Sequence, residues 1–348
     1  MDNGRMALVT GAGGAVGPTI ARRLLAAGYR VRALDAKPFS TGVLPEGVEC
    51  LQGDINDCSA LARAVQGVDV VFHLAAKLHI NNPDPSLREE YHRVNVEGTR
   101  RLAEAAVAAK VSRLVFFSTI CVYGPSVFPN VLDENAPICC DSWYGETKYQ
   151  AERIVLSQSP AVVLRLAAVY GPRMKGNYLR LLHALRKHAF LYVGDGRNRR
   201  TLIYDEDVAA AALLAAEAPQ ALGQTYNVSD GKIHVFREIV ETMCQVLGRR
   251  PPRLHISVPL MRTCAGMAET GMRWIGKRSP ITRQLVDKLV EDVAVSDAKI
   301  ERDLQYHPQV DLACGWRQVA EAARETPRGG DDRNHPTDRA CNACNSCH

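Results

Sequence analysis

Residues 8–17, Leu8-Val9-Thr10-Gly11-Ala12-Gly13-Gly14-Ala15-Val16-Gly17, join an apolar strand-like run to a helix-period segment through a turn dense in glycine. Met6–Thr10 reads as a β-strand and Pro18–Ala27 as a helix, the context in which a glycine fingerprint carries meaning. Gly11 permits the tight turn, and Gly14 lets the backbone approach a pyrophosphate. Gly17 lets the helix pack closely on the strand. The free N–H groups of the helix N-terminus then face the anion. Asp35 ends a second strand, 18 residues beyond Gly17. A carboxylate there accepts hydrogen bonds from a ribose 2′-OH and repels a 2′-phosphate, which favours NAD over NADP. Arg30 and Arg32 lie on the same strand, and an Arg can accommodate that phosphate. Asp54 follows a third strand and reads either as a partner for the adenine amino group or as a loop carboxylate.

Outward from this turn, short β-branched runs alternate with helix-period segments. Arg30–Leu34, Val68–Leu74, Gly98–Ala108 and Leu114–Ser118 carry the alternation, and Tyr144–Ser157 has a helical pattern. Ala161–Val169 reads as one buried strand ending at Tyr170-Gly171-Pro172. Strand and helix taking turns at this spacing predict an α/β fold, a Rossmann-type doubly wound parallel sheet. After Pro172 the rhythm changes. Tyr178–His188, Asp207–Ala218 and Phe236–Leu247 read as helices, Arg199–Tyr204 and Thr225–Val228 as strands. The expected organisation is a nucleotide-binding domain over 1–172, rejoined by 201–230, with a smaller, mostly helical substrate lobe from 173–200 and 231–325. Leu254–Ile275 is apolar but interrupted by Arg262, Glu269 and Arg273. It reads as a lobe helix with a polar face, with a membrane-surface helix as the alternative. Residues 326–348 cannot bury a core and are expected to form a disordered, Cys-containing tail.

Composition bounds the function. The 348 residues carry a net charge of +5, with the basic residues scattered, which argues against nucleic-acid binding. No run of about 20 apolar residues exists, so stable membrane insertion is not expected. With the strand starting at Met6, a signal peptide is not expected. The chain has eleven Cys, an odd count, and eight of them lie without regular spacing, which suits reduced thiols, so a cytoplasmic location is expected. Cys341, Cys344, Cys347 and His348 crowd soft ligands at the end of the chain. A structural zinc site needs a loop between two ligand pairs, and no metal is expected.

Tyr144-Gly145-Glu146-Thr147-Lys148 places a phenol and an ammonium one helical turn apart on one face. A cation there is expected to lower the phenol toward neutrality, fitting Tyr144 as a general base on an alcohol that loses hydride from the same carbon. Phe116-Phe117-Ser118-Thr119 ends a hydrophobic strand at the carboxyl edge of the sheet, where ligands collect.

Together these residues resemble the extended short-chain dehydrogenase/reductase family, in particular its NAD-dependent nucleotide-sugar epimerases and dehydratases. The resemblance spans about residues 6–322 through Thr10–Gly17, Asp54, His73-Leu74-Ala75-Ala76, Asn95-Val96-Glu97-Gly98-Thr99, Ser118-Thr119, Tyr123-Gly124, Tyr144-x-x-x-Lys148 and Tyr170-Gly171-Pro172. It implies Thr119, Tyr144 and Lys148 as the catalytic set, Thr119 lying four residues before Tyr123. It extends the NAD contacts to Ala15, Val16, Ile55, Leu74, Ala75, Ala76, Lys77 and Asn95, beside Tyr144 and Lys148. It also implies a nucleotide-diphosphate sugar as substrate, bound at Thr119, Tyr144, Asn177 and Arg200, and a homodimer. A guanidinium suits a diphosphate because its planar fork pairs two oxygens at once. Family dehydratases carry Asp-Glu directly after the catalytic Thr. Ile120-Cys121 stand there instead, so a 4,6-dehydratase is not expected. The implied reaction is epimerisation at C4 through a 4-keto sugar. Alternatives are a nucleotide-4-keto-sugar reductase, a 3β-hydroxysteroid-type dehydrogenase and a non-catalytic NAD-binding regulator.

Overall fold

The computed structural model describes residues 4–325 except 79, 81, 82, 128, 277, 278 and 280; the terminal cysteines and the expected tail lie outside the described residues. In chain order the strands are β1 (Met6–Thr10), β2 (Arg30–Asp35), β3 (Glu49–Gln52), β4 (Val70–His73), β5 (Arg113–Thr119), β6 (Ala161–Leu166), β7 (Ala168–Tyr170), β8 (Tyr192–Val193), β9 (Arg199–Arg200), β10 (Leu202–Tyr204), β11 (Thr225–Val228), β12 (His234–Val235) and β13 (His255–Ile256). The helices are α1 (Gly17–Ala26), α2 (Cys58–Ala64), α3 (Arg88–His92), α4 (Gly98–Ala108), α5 (Trp143–Gln158), α6 (Asn177–Arg186), α7 (Asp205–Glu217), α8 (Phe236–Val246), α9 (Val258–Trp274), α10 (Arg283–Val290), α11 (Ala298–Leu304) and α12 (Leu312–Glu325).

Seven strands form one parallel sheet in the order β11-β6-β5-β4-β1-β2-β3, the doubly wound arrangement the alternation predicts. Both faces are covered, so the central strands are apolar throughout rather than alternating. Along β1, Ala7 and Val9 pack with Ile20 and Leu24 of α1 and the alanine face of α7. Met6 and Leu8 point the other way, to Leu61 of α2, Leu102 of α4 and Val155 of α5. The order reverses between β1 and β4, which opens a crevice beyond their carboxyl ends, where ligands bind in such sheets.

The predicted strand over 161–169 breaks at Ala167. Its N–H still donates to Val228 of β11 (2.9 Å), whereas that of Ala168 turns to Thr201 (3.3 Å). The chain thereby leaves the large sheet, and β7 pairs with β10. Thr201 divides the predicted 199–204 strand in the same way, donating its N–H to Val293 at 3.0 Å. A third core lies beyond this branch. Trp316 of α12 is fully buried and stacks on Tyr170 with ring centroids 4.8 Å apart, among residues of α6 and α8. Among the described residues, no helix is long and apolar enough to cross a membrane.

Candidate active site

The glycine turn is built as its spacing requires. Gly11 holds φ +69°, and a Cβ there would lie 2.7 Å from the backbone nitrogen of Ala75, so β1 and the 74–77 loop approach too closely for a side chain. A Cβ on Gly17 would meet the carbonyl oxygen of Ala12 at 2.4 Å, which is why α1 can start directly beneath the turn. No acidic residue occupies the first turn of α1, and Val16 gives no side-chain cap, so its N–H groups suit an anion. Gly13, absent from the sequence reading of the site, donates its N–H to Asp35 Oδ2 at 3.0 Å. The Asp35 carboxylate is thus held against the turn. Arg32 does not compete there. It donates to the carbonyls of Ala64 (2.9 Å) and Gln66 (2.7 Å) and pairs with Glu49. The side-chain-free cradle and its carboxylate fit NAD, which Gly11, Gly14, Ala15, Val16, Gly17 and Asp35 would hold along one edge.

Behind the cradle a buried relay fixes the end of β4. Thr10 Oγ1 lies 2.7 Å from His73 Nδ1, and His73 Nε2 lies 2.9 Å from Thr99 Oγ1. Burial, reinforced by Lys148, pushes His73 down to about 3, so it is a neutral spacer. Leu74, Ala75, Ala76 and Lys77 follow as loop. Asn95, sitting in a π-helical turn over Arg93–Glu97, receives the Lys77 N–H (2.7 Å) and donates to Thr147 of α5 (3.0 Å). In the described chain Asn95 therefore braces the loop and α5 together. The Lys77 ammonium is engaged by Glu90 at 2.9 Å. Ile55 is buried against Gly98 of α4. Asp54 binds Asn56 through Oδ1 and lies 3.5 Å from Arg93 through Oδ2, so its carboxylate shapes its own turn. Burial pushes it up, but these partners outweigh it and hold it below the ordinary carboxylate value.

Thr119 ends β5 and hydrogen-bonds the phenol of Tyr144 in the first turn of α5. Gly145 makes the meeting possible, because a Cβ there would lie 2.7 Å from the carbonyl oxygen of Cys121. Lys148, one turn on, is 2% exposed, with Nζ 4.0 Å above the Phe116 ring. Burial pushes it down to about 7, opposed by Glu152. The expected lowering of Tyr144 does not occur in the chain alone. Burial, helped by Cys121 and Tyr91, pushes the phenol above its ordinary value, and only the Thr119 hydrogen bond opposes it. The physical reason is depth: desolvation of the phenol itself is the largest influence and outweighs the Thr119 hydrogen bond.

The sequence reading missed the buried charges beneath this group. Glu152, 1% exposed, accepts from Ser118 Oγ and from Arg165 through Nε (3.0 Å) and Nη2 (2.7 Å). Arg165 also donates to Tyr123 Oη at 2.7 Å, and Tyr123 donates to Asn227 at 2.8 Å. Glu152 falls one turn after Lys148 on α5, a spacing that was available as a signal.

In the second lobe, Asn177 opens α6, and Tyr178 is close enough to Arg200 for the guanidinium to oppose the burial that pushes its phenol up to about 12. Arg200 Nη2 donates to the carbonyls of Lys288 (2.8 Å) and Leu289 (3.3 Å), and Nη1 lies 3.9 Å from Glu291. Lys288 pairs with Asp141, just ahead of α5, and both Lys288 and Glu291 act electrostatically on Cys121. The end of α10 thus links Arg200 to the Asp141 segment that leads into α5. Among the described residues no group of three His, Cys, Asp or Glu is gathered as a metal site.

The sequence profile of the NAD-dependent epimerase/dehydratase family matches residues 7–229. The chain is 32% identical to a 3β-hydroxysteroid dehydrogenase/Δ5→4-isomerase of Mycobacterium tuberculosis, over 86% of its own length and 85% of that protein's. It is also 32% identical to a 2-alkyl-3-oxoalkanoate reductase of Stenotrophomonas maltophilia, over 90% and 97%. The structure of MoeE5 in complex with UDP-glucuronic acid and NAD superposes with a TM-score of 0.73 at 28% identity, covering 91% of this chain and 98% of that one.

Proposed function

From the premise that the chain belongs to the NAD-dependent epimerase/dehydratase family, we propose that it is an epimerase acting at C4 of a nucleotide-diphosphate sugar through a transient 4-keto sugar. The observation that carries this reading is that the end of α10 joins Arg200 to Asp141, in the segment that leads into α5, the helix bearing Tyr144 and Lys148. Bound NAD supplies the acceptor and donor for the two electrons and proton of the C4–H bond. With the positive charge of the bound oxidised cofactor offsetting the burial that raises its phenol, Tyr144 Oη takes the proton of the 4-hydroxyl and returns it after the sugar has turned, so no net redox change results. Thr119 aligns the hydroxyl, and Lys148 supplies positive charge beside the phenol. Arg200 and Asn177 hold the diphosphate while the sugar turns. Ile120-Cys121 provide no acid to expel water, which argues for epimerisation over dehydration. Homodimer formation and the adenine role of Asp54 belong to the same proposal.

A second reading is favoured by one observation: Glu291 and two carbonyls already engage Arg200. In that reading the substrate is a neutral hydrophobic alcohol, as the name of the mycobacterial relative suggests. NMR of UDP-N-acetylglucosamine and UDP-glucose, incubated separately with the protein and catalytic NAD, separates the two. The epimerase yields a C4 epimer without NADH accumulation, and Arg200→Ala abolishes it. NADH formation on a 3β-hydroxysteroid, unchanged by Arg200→Ala and with neither sugar altered, overturns the proposal.

A further inference from the structure

Helix α9 wears its amphipathicity inside out. A surface helix normally buries its apolar stripe and turns its charges to water. Here Ala265 and Gly266 mark the packed face. Arg262 pairs with Asp287 of α10, and Glu269 pairs with Arg283. The opposite face carries Leu260, Cys264, Met267, Gly271 and Trp274, spaced at helical intervals, with no charge among them. These side chains are unusually bare: Leu260 is 54% exposed, Met267 63% and Trp274 86%. Ahead of the helix, Leu254, 76% exposed, lies beside exposed Leu191, because its carbonyl accepts the N–H of Tyr192 at 3.1 Å.

Charge tells what covers this face. Residues 249–275 hold five Arg against one Glu, in a chain whose whole net charge is +5. Arg250 and Arg253 stand before the helix and Arg273 near its end, all exposed and without an ion-pair partner among the described residues. An uncharged outward stripe ending in Trp, bracketed by unpaired guanidiniums, is the pattern of a helix lying in the interface of a bilayer. The apolar side chains enter the headgroup boundary, and the cations meet anionic lipids. We propose that α9 docks this protein on the surface of a membrane that carries anionic lipids. The site at the sheet edge plays no part in the argument, so the proposal stands or falls apart from the reaction.

The test is sedimentation of the full-length protein with vesicles of phosphatidylcholine alone or mixed with phosphatidylglycerol. Binding is expected on the mixed vesicles, weakening as salt is raised. A blue shift of tryptophan emission should accompany it, since of the three tryptophans Trp274 is highly exposed, whereas Trp143 is partly buried and Trp316 fully buried. The pair Arg250→Glu, Arg253→Glu should weaken binding at least tenfold, and the pair Met267→Ser, Trp274→Ser should abolish both binding and shift. Retained NAD affinity in both variants shows that the fold is intact. Failure to bind mixed vesicles, or binding that neither pair weakens, overturns the proposal. Concentration-dependent self-association relieved by Met267→Ser, Trp274→Ser, without vesicle binding, overturns it in favour of a second copy of the chain.

Discussion

Replacing Glu152 by Gln removes one charge from a buried pair and changes almost no volume. Glu152 is 1% and Arg165 6% exposed, so neither gains water when the other is neutralised. In the native chain the carboxylate receives Arg165 Nε and Nη2 together with Ser118 Oγ. A glutamine can accept on one atom only, and its amide N–H groups then oppose the guanidinium donors. Leaving one member of a buried pair uncompensated costs about 3–5 kcal/mol. Equilibrium unfolding in urea should therefore show Glu152→Gln destabilised by that amount, with the slope against denaturant unchanged. Arg165→Met should cost a similar amount. The double replacement Glu152→Met, Arg165→Met should cost much less than the two single losses together, because no lone charge remains. A loss below about 1 kcal/mol for Glu152→Gln, or additive single effects, would refute the reasoning that the pair is desolvated and interdependent.

Two further outcomes follow from the same geometry. Lys148 titrates at about 7 in the folded chain against an ordinary 10.5, so between those values the unfolded chain binds more protons and stability rises with pH. Lys148→Met should therefore be more stable than the parent by most below pH 7, the gain shrinking toward pH 10.5, while turnover falls by about 10²–10⁴-fold; a gain independent of pH from 6 to 10 would count against the buried ammonium. Gly11→Ala forces a Cβ to 2.7 Å from the Ala75 nitrogen at φ +69°. It should weaken NAD binding at least tenfold by calorimetry, at a conformational cost of about 1–2 kcal/mol; unchanged affinity would remove Gly11 from the cradle.

Much of the frame was legible along the chain because its causes are local. A tight turn needs glycine at Gly11, and a covered parallel strand needs an unbroken apolar run such as Met6–Thr10. A helix brings residues four apart onto one face, which is how Tyr144 and Lys148 came to be paired. The α/β sheet, its winding and the NAD-binding turn follow from such rules. What depended on distant neighbours did not show. Ala161–Val169 looked like one strand, yet the break at Ala167 is set by competition between Val228 and Thr201 for the backbone. Residue types suggested that Lys148 lowers Tyr144, but desolvation is a property of the surrounding core, and it raises the phenol instead. Arg200 looked free for a diphosphate until the end of α10, some ninety residues on, was folded against it. Periodicity and turn chemistry are written in consecutive residues; burial, charge pairing and the reach of a side chain exist only once remote segments have met.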